Sequence, residues 1–485
     1  MAPLPRLTRF YHWRKRMARV LGTCMRQFRG PRPVTRTPIG ARQTPTGRVQ
    51  SGGRSPDRCR KGDHSRNAAS QESASGACMS LSIRTVRKSF EALESRPFRW
   101  LWLGRLATTG TFQMGTVVQG WLVFELTGSA FALGWVGAGW SVATLFLSPY
   151  GGVVADRVDK RSLMLWNRAG MLLNSLAVGV LISLGLIRVW HLALSSVLTG
   201  VFIALLMPAQ QAMVLELVPP HALMNAVSMD SLGMGLMGIV AASTAGLLIN
   251  SAGAQSVYFV MAAMYLVAVF TISQLPQAEP TNTGRDGVWA EIIGGVRYLR
   301  GEPLLLLLIL LGLTRVFFVM PYVTLLPAFA RDNLGFDASG LGLLQSAGAA
   351  GALAASLLAC YLGDARGKGK MLVISSLALG VFLALYVTVP WLPVVFLSLA
   401  LVGALSNLYM VLSNTLILSH ADPVYRGRVL SLAVMEWGLA PLGTIPAGAL
   451  ADQIGVPWVV GVQGVLVTTI YALVAMLRPE IKRMN

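Results

Sequence analysis

The chain has 485 residues, 54% of them hydrophobic and 13% charged, about half the charged fraction of an ordinary soluble domain, roughly 25%. Mean hydropathy is +0.58, and the apolar residues come in long runs, which excludes the soluble classes and implies a polytopic membrane protein. The net charge of +20 gathers at one end: residues 1–78 hold 17 Lys and Arg against Asp57, Asp63 and Glu72, or +14, leaving +6 for the remainder.

Residues 1–78 are rich in Arg, Pro, Gly, Ser and Thr, and the stretch 30–75 lacks the apolar surface to offset its ordering entropy, so disorder is expected. It reads as a basic nucleic-acid or lipid-binding arm, as a transit-type leader, or as an upstream extension of a protein whose translation starts at Met79. The abrupt change of composition favours the last. The basic tail is therefore not evidence of a nucleic-acid surface on the folded part. Cys24, Cys59 and Cys78 lie in this segment and Cys360 alone follows, so the membrane body is expected to depend on no intramolecular disulfide. No secretory signal is expected, because no apolar core follows the early arginines.

A helix needs about 20 largely apolar residues to cross roughly 30 Å of hydrocarbon, and helices are the form expected of such runs in lipid. Twelve such stretches follow: 98–124, 130–154, 162–187, 190–217, 223–249, 255–275, 303–329, 338–362, 370–389, 393–418, 427–450 and 456–477. With a cytoplasmic N-terminus, nineteen Lys and Arg of the body fall on the inner side and only Arg188 and Arg331 on the outer. That bias orients the bundle and places both termini in the cytoplasm.

The longest internal loop, 276–302, divides the spans six and six. Within it Trp289, Ile292, Ile293, Val296 and Leu299 share one helical face, the pattern of a helix lying on the inner membrane surface. The halves echo each other: Asp156 corresponds to Asp364 at an offset of 208, and Ala245, Gly246 and Gly253 correspond to Ala447, Gly448 and Gly455 at an offset of 202. Duplicated half-units are how many secondary transporters are built, with the substrate held between the repeats. The predicted organisation is a tail (1–78), a six-helix half (79–275), a linker with a surface helix (276–302) and a second six-helix half (303–485).

The loop after the second span reads Gly152-Val-Val-Ala-Asp156-Arg157-Val-Asp159-Lys160-Arg161, and a degenerate copy, Gly363-Asp364-Ala365-Arg366-Gly367-Lys368-Gly369-Lys370, follows the eighth. It resembles the signature loop of the major facilitator superfamily. The surface helix, with Glu291, Gly295, Arg297, Tyr298, Leu299 and Pro303, is similar to that of the branch containing the enterobactin exporter and macrolide-efflux-type transporters. One departure stands out: Asp159 occupies the position of the usual central glycine, which changes the expected turn. The resemblance implies the all-α major facilitator fold, twelve helices in two pseudo-symmetric halves. It also implies an inner latch in which Asp156 meets the start of the eleventh span near Arg428, where a helix N-terminus favours an anion, and Arg157 meets Glu216. Headgroup anchoring by these same residues is the plainer alternative.

Ionisable groups inside spans are costly and point to function. Arg105 and Arg168 lie about 10 Å deep by the helical rise, shallow enough to snorkel. Arg315, some 18 Å in, Glu436 and Asp230 are deeper. A carboxyl in low dielectric gives up its charge readily, which a proton carrier needs, so Glu436 and then Asp230 are the proton-site candidates. Arg315 is a counter-charge or an anchor for an anionic group, and a structural ion pair is the alternative. Arg105, Thr109, Gln113, Thr116 and Gln119 draw a polar stripe along the first span, facing either a cavity or other helices. Gln210 and Gln211 after Pro208, Arg315 and Tyr322, and Asn407 and Asn414 add polar positions on spans four, seven and ten. By resemblance these line the central cavity.

Met224, Met229, Met234 and Met237 read mainly as packing, and Ala347, Gly351 and Ala355 as a close helix contact. No P-loop, zinc or nucleophile-elbow pattern occurs, and the histidines are scattered, so no cofactor, metal or catalytic residue is expected. The reading is a multi-pass transporter of a bacterial inner membrane, not an enzyme, monomeric, partnered by lipid, a small-molecule substrate and protons, and not by nucleic acid. By resemblance it exports a small amphipathic compound such as a drug or siderophore. An importer or facilitator, or outside that class a polytopic enzyme or lipid-handling protein, stays open.

Overall fold

In the computed structural model, the residues described are 95–218, 222–276, 288–362, 367–389, 391–422 and 425–484. The tail and its expected disorder lie outside them. The first half is α1 (Arg96–Thr127), α2 (Ala130–Arg157), α3 (Lys160–Ser183), α4 (Val189–Leu217), α5 (Leu223–Ala252) and α6 (Ala254–Ser273). The surface helix α7 (Val288–Gly301) leads into a broken span made of α8 (Pro303–Phe318), α9 (Pro321–Ala328) and a π turn (Phe329–Asn333). Then come α10 (Ala338–Leu362), α11 (Lys368–Thr388) and α12 (Leu392–His420). A second broken span joins α13 (Arg426–Met435), a 3₁₀ turn (Glu436–Leu439) and α14 (Pro441–Ile454), followed by α15 (Val456–Leu477).

Eleven of these segments, counting each broken span as one, are long and apolar enough to cross a membrane. The exception to the expected twelve is α1. It is a 32-residue helix, but its stripe of Arg, Thr and Gln lowers its hydropathy. It is nonetheless packed into the bundle against α5 and α6.

The halves meet along two main lines, α2 against α14 and α5 against α10. Glycines set both. Gly246 lies on the backbone of Ala338 and Ser339, and Gly448 on that of Ala130 and Phe131. Gly342 lies against Ala242, and Gly134 against Thr444. Each pair repeats the other at the offsets of 202 and 208. Gly253 (φ 79°, ψ 166°) and Gly455 (φ 86°, ψ 149°) make the tight turns α5–α6 and α14–α15 in a backbone region essentially confined to glycine. The duplication noticed in the sequence is thus carried into backbone geometry.

Within the second half, Gly351 and Gly403 bring α10 and α12 into backbone contact, with Ala355 buried beside them. The small-residue ridge is a packing surface. The methionines of α5 form no single wall, since Met229 is buried and Met234 exposed. The stretch Val288–Gly301 is helical, and of its expected apolar face Leu299 is buried while Ile293 and Val296 are exposed. It docks on the start of the second broken span: Tyr298 stacks on Tyr425 at 4.3 Å, the Tyr298 hydroxyl accepts from the Asp422 amide at 3.0 Å, and Gly295 lies against Leu432.

Candidate functional site

The two broken spans face each other. Pro321 has no N–H to continue α8, so the helix stops at Phe318, and the carbonyl of Arg315 accepts from the amides of Val319 and Met320 at 2.8 and 3.1 Å. Across from it, Pro441 follows the short 3₁₀ turn that begins at Glu436. Two glycines allow the breaks to meet. The Glu436 carboxyl occupies the space a Cβ on Gly312 would need, and Gly443 lies on the backbone of Phe317. Interrupted transmembrane helices at the repeat interface are the recurrent binding element of secondary transporters.

Arg315 and Glu436 are nearly buried, at 9% and 8% exposure. They share this junction without a direct ion pair, so any counter-charge between them acts through space and not through contact. Instead, the Arg315 guanidinium lies 5.4 Å from the Trp437 ring centroid and 6.0 Å from that of Tyr409, within cation–π range, and its Nε has no hydrogen-bond partner. Tyr409 meets Tyr471 edge to face, and the Tyr471 hydroxyl donates to the Leu311 carbonyl at 2.9 Å, tying α15 to this wall. No hydrogen bond to the Glu436 carboxyl is made by the described residues. Trp437, Tyr409 and Gly312 were not anticipated. Trp437 was recoverable as the neighbour of a deep acid.

In the first half, Asp230 of α5 is paired: Arg105 donates to it at 2.6 Å, both side chains being about a quarter exposed. The first-span arginine and the fifth-span acid, assigned different tasks in the sequence, form one ion pair. Arg168 is 6% exposed with its Nε unpartnered. It is enclosed by the packed helices and does not snorkel.

The polar stripe of α1 is largely spent on other helices. Thr116 donates to the Gln113 carbonyl of its own helix at 2.8 Å with Gln345 of α10 at 3.2 Å, and Gln119 donates to the Leu192 carbonyl of α4 at 3.3 Å. Gln113 sits beside Gly238 of α5, and Thr109 is half-buried. Asn407 holds α12 to α10 through the Ala352 carbonyl (2.7 Å) and Ser356 hydroxyl (2.6 Å). Asn414 and Gln210 are half-buried, and Tyr322 meets Tyr386 edge to face at 6.3 Å. Among the described cavity positions, Arg315 and Tyr322 flank the α8–α9 break. Two surface cavities, about 330 Å³ between α3 and α4 and about 540 Å³ around Arg96, Arg99 and Trp100, border neither Arg315 nor Glu436.

At the signature loop, Asp159 caps α3, accepting from the Ser162 amide at 2.9 Å and hydroxyl at 2.6 Å with φ −53°. The position therefore needs no glycine here, because an N-cap carboxylate makes the turn. Lys160 is buried at 2% exposure, and Arg161 donates to the Ser273 carbonyl at 2.5 Å, fastening the loop to α6. Gly152 is a helical position within α2, and the side chains of Asp156, Arg157, Gln211 and Glu216, and all of Asp364 and Arg366, lie outside the described residues. Arg428 lies 5.4 Å from the Tyr425 ring and against Gly294 and Gly295, engaged with α7.

At the opposite ends of the helices, two carboxylates not singled out in the sequence join the halves. Asp452 accepts from Ser129 and the first amides of α2, and Asp337 accepts from Asn250 and the first turn of α10. The Ser339 hydroxyl and then the Gly340 amide hold the Asp337 carboxyl below the usual carboxylate range, with Asn250 adding to them.

Residues 87–485 match the family model described as transmembrane secretion effector. The staphyloferrin A transporter of Staphylococcus aureus is 23% identical over 361 residues, 73% of this chain and 89% of that protein. The enterobactin exporter EntS of Shigella boydii is 26% identical over 373 residues, 72% of this chain and 82% of that protein. Among solved structures, nucleoside transporter NupG superposes with a TM-score of 0.63 at 14% identity, covering 79% of this chain and 99% of that one. A bacterial homologue of the iron transporter ferroportin in an inward-facing state gives 0.63 at 18% identity, covering 78% and 98%.

Proposed function

The chain belongs to the transmembrane secretion effector family of major facilitator transporters, and from that membership we propose that it exports a small amphipathic compound in exchange for protons. It is a secondary transporter and a multi-pass membrane protein, not an enzyme. We place it in a bacterial inner membrane with α1 as the first of twelve crossings and both termini cytoplasmic. The nineteen-to-two bias of Lys and Arg supports this orientation, and 32 residues of helix are about 48 Å long, more than a crossing requires. The relatives named for staphyloferrin A and enterobactin favour a siderophore-type substrate over a general drug.

The observation that carries the coupling is the junction of the two broken spans at Arg315 and Glu436. A carboxylate there, with no hydrogen-bond donor among the described residues, is costly at several kcal/mol by order of magnitude, and the neutral acid costs less. Proton gain and loss at Glu436 therefore bias the balance between the two rocking arrangements of the halves. Arg315, with no acid in direct contact among the described residues, presents a cation flanked by Trp437 and Tyr409 to an acidic or aromatic group of the substrate. Asp230, already held by Arg105, is the secondary coupling position. The Asp156, Arg157, Lys160 and Arg161 loop, with Asp364 and Arg366 in the other half, is assigned to latching the inner face.

The test is export from cells lacking their own major pumps, comparing the full chain with Glu436→Gln at matched membrane abundance, with and without a protonophore. A catecholate and a carboxylate siderophore are the first probes, followed by a panel of fluorescent amphiphiles. Export lost both on mutation and on protonophore addition supports the reading. Protonophore-insensitive export, or a Glu436→Gln variant that still couples, sinks it.

A further inference from the structure

Where α2 begins, Asp452 of α14 accepts from the Ser129 hydroxyl at 2.6 Å and from the amides of Ala130 and Phe131 at 2.5 and 3.1 Å. Ser129 is itself the N-cap of α2, accepting from the Ala132 amide at 3.2 Å. Where α10 begins, Asp337 accepts from the Ser339 hydroxyl at 2.5 Å and the Gly340 amide at 3.0 Å, and Asn250 of α5 donates to its other oxygen at 2.6 Å. Both ties lie on the face with few basic residues, which is the outer face in the proposed topology.

The two ties are copies. Asn250 and Asp452 stand 202 residues apart, and Ser129 and Asp337 stand 208 apart, the offsets that relate the glycine contacts beneath them. Only the placing of the charge differs. In one tie the arriving helix brings the carboxylate to an uncharged serine cap. In the other the cap is the carboxylate and the arriving helix brings an uncharged asparagine. Each site thus holds a single anion at a helix N-terminus, where exposed amides and the helix dipole favour it. No basic side chain pairs with either among the described residues.

We propose that Asp452 and Asp337, with Ser129 and Asn250, form a twofold gate that holds the outer face closed and must release at both sites for that face to open. The geometry pairs them, because at this end glycines bring the halves into backbone contact along both the α2–α14 and the α5–α10 lines. A rocking motion that parts the halves here must lift Gly448 from Ala130 and Gly246 from Ala338, carrying the polar ties apart with them. Both ties are solvent-exposed, so on opening water replaces each lost bond and the net penalty is modest. A gate of this kind is strong enough to bias the face and weak enough to reopen each cycle. Glu436 and the substrate do not enter, and the inference rests on the proposed reading only for which face is called outer.

The test uses the full chain with Cys24, Cys59, Cys78 and Cys360 replaced by serine and spin labels introduced by Leu186→Cys and Trp391→Cys. These exposed positions lie in the α3–α4 and α11–α12 turns, one in each half on the gated face. Interspin distances are measured by double electron–electron resonance in nanodiscs of phosphatidylethanolamine and phosphatidylglycerol, without substrate or proton gradient. Asp452→Asn and Asp337→Asn each keep the side-chain shape but remove the anion. Each is expected to raise the long-distance population about fivefold, with the pair exceeding either single change. Ser129→Ala and Asn250→Ala follow with smaller rises. A lower melting point with an unchanged distance distribution would make the carboxylates plain helix caps and overturn the gate. Opening by one aspartate change but not the other would overturn its twofold character. Neither result touches the export reading, which the siderophore assay decides separately.

Discussion

Gly312→Ala tests the Arg315–Glu436 junction without altering a charged residue. A Cβ on residue 312 would stand 2.6 Å from Glu436 Cδ and closer still to the carboxylate oxygens, against an ordinary carbon–carbon contact of about 3.5–4.0 Å. The carboxyl must therefore retreat by about 1 Å. Overpacking in a core costs about 1–3 kcal/mol, but the obstructed atoms are the tip of a flexible side chain, so the low end of that range applies and folding should survive. Position at the junction does not survive: a displaced acid meets different neighbours when it gains or loses its proton. The expected result is near-wild-type abundance and melting temperature with proton-driven export reduced at least tenfold, an effect of about 1.4 kcal/mol or more on the coupled step. Glu436→Asp in the Gly312→Ala background withdraws the carboxyl by one carbon–carbon bond, about 1.5 Å, and should restore part of the coupling. Full activity in Gly312→Ala, or equal losses with and without Glu436→Asp, would refute the assignment of Glu436.

Asp230→Asn should lower the melting temperature more than the double change Arg105→Gln with Asp230→Asn, because the single variant strands a partly buried guanidinium. The pair is about a quarter exposed, so a difference of about 1–2 kcal/mol is expected, below the roughly 3–5 of fully buried pairs; equal losses would mean the two do not interact. Gly253→Ala and Gly455→Ala should each destabilise by about 1–3 kcal/mol, since both need a backbone conformation closed to side chains. The two effects should add in the double variant, and a variant as stable as wild type would show that the turn can be remade. Asn407→Ala should cost about 1–2 kcal/mol from the lost α10–α12 tie while leaving the order of substrate preference unchanged in the export assay; a reordered preference would return Asn407 to the substrate cavity.

Much of the architecture was legible because it is written in local patterns. The apolar runs marked the spans, the interrupted loop 276–302 marked the surface helix, and the spacing of Gly253 and Gly455 marked equivalent turns whose shared backbone conformation is now explicit. Pairings between helices were harder to read. Arg105 meets Asp230 across 125 residues, and no periodicity in either helix encodes that encounter. Depth alone placed Arg315 and Glu436 at one junction, but it said nothing of the aromatic faces of Trp437 and Tyr409 that flank the arginine. The stripe on α1 called for polar company, and Gln119 bonds to α4 while Thr116 bonds within α1 and lies beside Gln345 of α10. Asn250 and Asp452 were within reach: the 202-residue offset found at Ala245 and Ala447 passes through both five residues later. Their charge mismatch hid the equivalence.

The ion pair between α1 and α5 also has a consequence for how the protein is made. Translation proceeds at about 5–20 residues per second, and 125 residues separate Arg105 from Asp230. For roughly 6–25 s, by that rate, the arginine exists without its partner. Its helix is also the one whose sequence gives the weakest claim on the bilayer. In the proposed topology the first span to leave the ribosome thus carries a charge whose partner arrives only with the fifth.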